Sequence, residues 1–490
     1  EDMEEQDHNT LSFKNKKSAF KALFLFQTLG NYCYVPRNKL PLDLYKITIQ
    51  MKYSTLFFVG FFCWSTIQLM AQEQKVTQQF ISQEAFAAAV MEQNPNLKVA
   101  AAETLAAQGD YNQTRAVLLP QVSLSHTAVA TNNPLMAFGL SLNQAQIETS
   151  DFNPTTLNNP SETKDFATVF SVQQPLINMD GFMNRKAAKS ALEATELKES
   201  RTKAYMTLSL TRAYMELQLS YKAVSVLEKA LKTANAYLKI AEDRYEAGHL
   251  LRSDVLSVRV AVGERKAQLE EARSGVRVAS AQVAMLMNAP QDIQYVPLDS
   301  LTLLAEAQDF FYSPLKRADI QALDLVTNAM KYKYRAAQMQ FLPKLNAFGS
   351  YELHDTSIFG TGAESYLVGA QLKWNLFKGG QQLGSTKKAK ANFYKAAEQA
   401  VQYKNESELL FNKAKSQLDI ASIQLETAGL AVSQLEEVVA ISQNRFETGL
   451  ARTSDVLDSQ AQLAQKSLSY AQAIFNYNYT KAYLKFLTQE

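Results

Sequence analysis

Apolar positions along the chain follow two periods, in alternating blocks. From about Phe182 to Ala247, apolar residues such as Ala204, Leu208, Ala213, Leu217, Val224 and Leu227 recur at helical spacing. This stretch holds no Pro and no Gly. A second one, from about Gln381 to Thr448, holds only Gly384 and Gly429. Each predicts one helix of about 65 residues, a rod of roughly 100 Å at 1.5 Å per residue. A rod that long buries its stripe only against other helices, as in a coiled coil. Shorter helical patterns cover about 79–117, 253–288, 315–341 and 454–487.

Between these blocks the period drops to two. Val122, Leu124, His126 and Ala128 alternate with Ser123, Ser125 and Thr127. Tyr366, Val368, Ala370, Leu372 and Trp374 share one face, with Gln371 and Lys373 on the other. This is the signature of strands with one apolar face. Strands are predicted at about 121–131, 165–175, 344–354 and 364–375. Pro120 and Pro343 stop the preceding helices. About ten residues is the length that crosses a bilayer when tilted. The link from Thr131 to Lys164 carries several Asn, three Pro and many Ser and Thr. It is long for a hairpin and predicts an external surface loop.

The pattern occurs twice. Arg244-Tyr-Glu-Ala-Gly248 through Ser253-Asp254-Val-Leu256 returns, without a gap and 201 positions later, as Arg445-Phe-Glu-Thr-Gly449 through Ser454-Asp455-Val-Leu457. Leu119-Pro120 returns as Leu342-Pro343. Each half reads helix, two strands, long helix, turn, helix. The fold class is therefore mainly α with a small β part, a duplicated helix–β-hairpin–helix unit over 72–300 and 301–490. Four strands cannot close a barrel, and open edges are not tolerated in lipid. Three copies would give twelve strands, an even-numbered barrel.

Residues 1–71 stand apart. Met51-Lys52 precedes an apolar run from Leu56 to Met70, then Ala71 and the polar Gln72-Glu73-Gln74. This reads as a secretory signal peptide over 51–71; the alternative is a membrane anchor, for which the run is short. Residues 1–50 begin with Glu1 and show no sustained periodicity. They read as sequence upstream of the natural start, or else as an N-terminal extension. Both cysteines, Cys33 and Cys63, fall before residue 72. The processed chain would thus lack thiol chemistry.

Composition agrees with long helices: 17 Gly and 12 Pro in 490 residues leave few turns. A net charge of +2 argues against nucleic acid as a partner. His8, His126, His249 and His354 are isolated in sequence. No metal-ligand spacing, phosphate-binding loop or nucleophile–base motif stands out, so no cofactor, metal or catalytic residue is expected. Tyr351, Tyr366, Trp374 and Phe377 read either as a membrane-interface girdle or as ordinary strand packing.

The duplicated order, the Leu-Pro pairs before the strands, the signal peptide and the paired Arg-aromatic-x-x-Gly…Ser-Asp-Val-Leu turns together resemble the TolC-like outer-membrane efflux protein family. The match covers nearly all of 80–488. The resemblance implies a homotrimer in the cell outer membrane: a twelve-stranded barrel in lipid, continued by a helical tunnel through the periplasm. It implies a periplasmic adaptor and an inner-membrane pump, of the resistance–nodulation–division or ABC type, as partners. Export of small molecules is the leading expectation. The alternatives are the outer-membrane part of a type I protein secretion system and, without a barrel, a periplasmic coiled-coil scaffold or adaptor. An enzyme is not expected.

The resemblance also points to residues. In the family, aspartates six and nine positions past the turn glycine constrict the periplasmic aperture. Those positions hold Asp455 and Asp458 in the second half and Asp254 and Ser257 in the first. Gly248 and Gly449 suit a left-handed helix end. Ser253 and Ser454, each with the following Asp, suit the start of the next helix, which by itself accounts for Asp254 and Asp455. The hairpin tips, with Arg244, Tyr245, Arg445, Phe446 and Arg452, are the expected adaptor contact. Family members latch the closed state with a Tyr three before the second Gly and an Arg two after it. This chain has Phe446 and Ala451 there, with Arg452 displaced by one. Arg244 and Arg445 are expected to pair with acids on neighbouring helices or to cap helix carbonyls.

Overall fold

The computed structural model describes residues 77–304 and 310–488. The expected upstream segment and signal peptide lie outside the described residues. Strand β1 (Thr77–Ile81) leads into α1 (Gln83–Gln93) and α2 (Pro95–Gln113). The single helix expected over 79–117 is therefore divided. Asn94 ends α1 and caps α2, its side chain accepting from the Asn96 N–H at 2.9 Å, with Pro95 as first helical residue.

Next come β2 (Gln121–Thr131), the short α3 (Pro134–Asn143) and α4 (Pro154–Asn158), and β3 (Thr163–Ile177). The expected external surface loop thus carries two short helices. Asn133 and Asn153 cap its two helices, each followed by a Pro at the first position. Helix α5 (Met179–Glu246) has 68 residues, a rise of about 102 Å. It turns into α6 (Arg252–Leu286) and the short β4 (Ile293–Pro297). The second half repeats the order with α7 (Ala318–Met339), β5 (Lys344–Asp355), β6 (Ala363–Lys373), the 67-residue α8 (Gln381–Glu447) and α9 (Thr453–Thr488).

The strands β2-β3-β5-β6 form one antiparallel sheet in that order. The chain enters and leaves this sheet only through helices. β1 and β4 pair in parallel, a second small sheet that the strand pattern did not announce. It packs with α1, α5 and α6 around Phe86, Val90, Leu210, Tyr214, Leu217, Val283 and Tyr295, all buried. Five residues on each strand are too few to carry a readable alternation.

Candidate functional site

The two hairpin tips are built alike. At each, a helix ends in a glycine at φ 78°. His249 N–H donates to the Arg244 carbonyl at 2.8 Å, and Gly248 N–H to the Tyr245 carbonyl at 3.0 Å. Leu450 to Arg445 (2.7 Å) and Gly449 to Phe446 (3.1 Å) repeat the pattern 201 residues on. These paired bonds close the last helical carbonyls, and the left-handed residue they need has no Cβ to clash.

Ser253 and Ser454 stand at the start of each second arm, as expected. The flanking residues are Leu251 and Arg452, so both serines lie inside the first turn. The Leu251 cap makes no side-chain bond. In the second half Asp455 reaches back, its Oδ2 accepting from the Arg452 N–H at 3.1 Å. That is half of a capping box. Asp455 and Asp458 are both exposed, three positions apart on one side of α9, while Val456 and Ser459 are buried on the other. Asp254 is exposed at the equivalent place on α6.

Phe446 is a correction. An exposed tip residue was expected; the ring is 4% exposed and lies between the hairpins. It meets Tyr237 of α5 edge-on, with centroids 5.6 Å apart at 73°, and packs with Val456, Ala451 and Leu457. Arg244, expected to seek an acid or a helix carbonyl, instead lies over this ring, its guanidinium carbon 4.2 Å from the centroid. Burial pushes the Tyr237 phenol above its ordinary value, so it stays neutral. Tyr245, Arg445 and Arg452 remain exposed at the tip. Beside them Arg259 of α6 binds Glu242 of α5 at 2.7 Å.

The sheet has two chemically distinct faces. Cross-strand pairs Leu124–Phe170, Phe170–Tyr351 and Tyr351–Tyr366 place their side chains on one face, with Val122, Val172 and Val368. Ser123, Ser171, Gln173, Ser350, Asn346 and Gln371 share the other, around a groove of about 570 Å³. Tyr366 is 80% and Phe377 83% exposed; Trp374 is exposed too, its Nε1 donating to the Phe341 carbonyl at 2.9 Å. Tyr351 donates its hydroxyl to the Glu364 carboxylate. The ladder from Lys344–Lys373 to Tyr351–Tyr366 spans seven residues, about 24 Å of strand.

Two features had no sequence signal. Where the start of α7 packs against α5 and α8, Asp319 accepts from Arg317 (2.7 Å) and Tyr403 (2.8 Å) and pairs with Arg201 at 3.2 Å. Burial alone would raise its carboxyl; these donors and the Arg201 charge hold it below the usual range. At the far end of the sheet, Asp165, His354 and Gln144 are buried together. Among the described residues no group of three or more His, Cys, Asp or Glu could hold a metal. No helix among them is long and apolar enough to cross a membrane.

Comparison with known proteins agrees with this geometry. The family model described as "Outer membrane efflux protein" matches residues 88–289 and 315–488. Alkaline protease secretion protein AprF of Pseudomonas aeruginosa is 21% identical over 350 residues, 68% of this chain and 72% of that protein. Outer membrane efflux protein BepC of Brucella suis is 23% identical over 364 residues, 71% of this chain and 78% of that one. The crystal structure of the Campylobacter jejuni CmeC outer membrane channel superposes with a TM-score of 0.71 at 16% identity. It covers 83% of this chain and 85% of that one.

Proposed function

Because the chain belongs to the outer membrane efflux protein family, we propose that it is the outer-membrane exit duct of a tripartite system exporting small molecules. The observation that carries this reading is a four-stranded sheet with one apolar face and two open edges, β2 and β6, joined directly to helices of about 100 Å. In lipid such edges must be paired. β6 of one copy next to β2 of another continues the antiparallel order. Two copies would give an eight-stranded barrel filled by its own side chains; three give twelve strands and a lumen. The homotrimer places the apolar face toward outer-membrane lipid and the Ser/Gln/Asn face toward the lumen. The exposed apolar residues of α8, among them Val401, Leu409, Ile423, Leu430 and Ile441, supply the seam between copies along the tunnel. Tyr351, Tyr366, Trp374 and Phe377 sit at membrane-interface levels, where amphipathic rings are favoured.

The helices extend far beyond a membrane of roughly 30 Å, and so into the periplasm. There the hairpin tips, through Tyr245, Arg445 and Arg452, meet a periplasmic adaptor bound to an inner-membrane pump. The duct does no catalysis; the pump supplies the energy. Threefold repetition turns Asp455, Asp458 and Asp254 into carboxylate rings at the narrow end. Two carboxylates 4 Å apart repel by about 4 kcal/mol at an effective dielectric of 20. Such rings admit cations and resist closure.

The test removes charge but keeps the helix cap. Asp455→Asn with Asp458→Asn retains an acceptor for the Arg452 N–H. It should change single-channel conductance in a planar bilayer and weaken block by multivalent cations. Unchanged conductance and block would reduce both residues to helix starts. The duct reading itself predicts heat-modifiable trimer bands in outer-membrane fractions; a soluble periplasmic product would sink it. A second reading, the outer component of a type I protein secretion system, is favoured by the similarity to AprF. Co-purification of the inner-membrane partner, a resistance–nodulation–division pump or an ABC exporter, separates the two.

A further inference from the structure

We propose that the insertion between β2 and β3 folds inward as an outer constriction of the duct, anchored to the barrel's inner wall through Gln144. The proposal rests on the barrel reading above. The sheet register decides which side the insertion takes. Val122, Leu124, Phe170 and Val172 share the apolar face. Ala167 pairs with both Thr127 and His354, on the opposite face, and Asp165 lies two residues before it on that same side. Asp165 and His354 therefore belong to the lumen wall. His354 Nδ1 lies 2.9 Å from Asp165 Oδ2, and its Nε2 lies 3.6 Å from Glu352 Oε2.

The insertion covers this pair. Gln144, just past α3, donates from Nε2 to the Lys164 carbonyl at 2.7 Å and to Asp165 Oδ1 at 2.8 Å. Asp165 is 2% and Gln144 4% exposed, and Ala137 of α3 is buried as well. A loop directed out into solvent would leave a carboxylate, an imidazole and an amide wet. Here all three are dry, with Asp165 bonded to both of the others. Losing one partner strands the others in a dry site without their hydrogen bonds, so the docked position is strongly specified.

The docked segment is a structured body. Asn133 and Asn153 cap its helices, and Phe138 meets Phe152 edge-on at 6.0 Å. On the far side of the sheet, His126 stacks on Phe359 of the β5–β6 turn at 4.6 Å, which closes the outer rim from outside. A twelve-stranded barrel stands between the eight-stranded kind, filled by side chains, and the open sixteen-stranded kind. Three inward-folded insertions are large against such a mouth. Polar cargo would meet a second resistance there, in series with the periplasmic one.

The experiment uses a Cys33→Ser, Cys63→Ser background, so that an introduced thiol is the only one. Ser171→Cys places it on the lumen wall below the insertion, and a bulky water-soluble maleimide is added outside intact cells. An insertion that opens only as a minor state keeps this thiol slow. Replacing residues 133–161 by a short Asn-Gly turn between the paired Thr131 and Thr163 should speed labelling about tenfold or more. Gln144→Leu, which leaves the chain length intact, should fall between. Equal rates with and without the insertion overturn the proposal. Val172→Cys, one residue on, is the control for the barrel itself, because the apolar face meets lipid. If, once the insertion is replaced by the turn, it labels as fast as Ser171→Cys, the barrel reading fails rather than the constriction. Trimer bands on unheated gels verify that each variant has assembled.

Discussion

Replacing Phe446 by Leu tests how the tips of the two hairpins are held together. The ring sits between α5 and α8–α9, touching Tyr237, Val456 and the Arg244 guanidinium. Leu keeps most of the apolar volume, so the cavity term is small. What disappears is the aromatic contact, about 0.5–1.5 kcal/mol beyond area, and the cation–π contact, about 0.5–2 kcal/mol for a half-buried cation. Together they come to about 1–3 kcal/mol. Both join one hairpin to the other, so any opening that slides the hairpins apart must break them. Removing them from the joined state alone raises the open fraction by about 5- to 150-fold. Phe446→Tyr keeps the ring and should stay near wild type. The assay is single-channel recording in a planar bilayer, reading dwell times, with trimer bands as the check on assembly. Arg244→Met, alone and combined with Phe446→Leu, completes a cycle whose coupling should be about 0.5–2 kcal/mol. An unchanged open fraction in an assembled Phe446→Leu trimer would mean that the contact travels with both hairpins, refuting its role as a latch.

Asp319→Asn should leave the Arg317 and Arg201 charges without their counter-charge, with Arg317 only 2% exposed, and destabilise the fold by about 3–5 kcal/mol. Since the folded carboxyl titrates below its ordinary value of 3.8, its stabilisation is complete above that pH and is lost as the pH falls through the lower folded value. Thermal melts should show this acid loss in the wild type and a smaller one in Asp319→Asn. Gly449→Ala meets nothing within 4 Å, so its cost is the φ of 78° alone, about 1–2 kcal/mol. Thermal shift of the trimer measures it, and Gly248→Ala should match because its turn has the same geometry.

The parts of the fold legible in the sequence are those governed by local rules. The long helices follow from an unbroken 3.6 period without Pro, and their ends from Gly248 and Gly449, whose left-handed backbone a side chain would strain. The strand over 121–131 was readable because Ser123, Ser125 and Thr127 alternate with Val122, Leu124 and Ala128. The break at Asn94-Pro95 was legible in principle, as a cap residue followed by Pro, but the continuing apolar pattern on both sides hid it. The insertion misled for a related reason. Its polar composition reads as loop, whereas Asn133-Pro134 and Asn153-Pro154 are two helix starts.

At the candidate site the division is sharper. The positions of Asp254, Asp455 and Asp458 came from the duplicated motif and its resemblance, because spacing past a turn is a local property. The inward orientation of Phe446 did not, because it depends on Tyr237 and Val456, 209 positions before it and ten after, meeting across two hairpins. Asp319 and Arg201 are separated by 118 positions, and Asp165 and His354 by 189. Such pairs leave no periodic trace, and a lone buried charge in a sequence looks like any surface residue.

By itself, then, the sequence determined the period, length and duplication of the elements, and with them a sheet too small to close and helices too long to stand alone. Those follow from backbone sterics and from side chains within a few positions of one another. Only the tertiary structure decided which polar residues go dry. Burial of a charge is tolerable only where a distant partner arrives to pair it, and that depends on how α5, α7 and α8 pack and on how the insertion folds back onto β3. The carboxylates left wet at the tips follow a local turn motif, whereas nothing in the sequence neighbourhood of Asp165 announces that it is sealed behind Gln144.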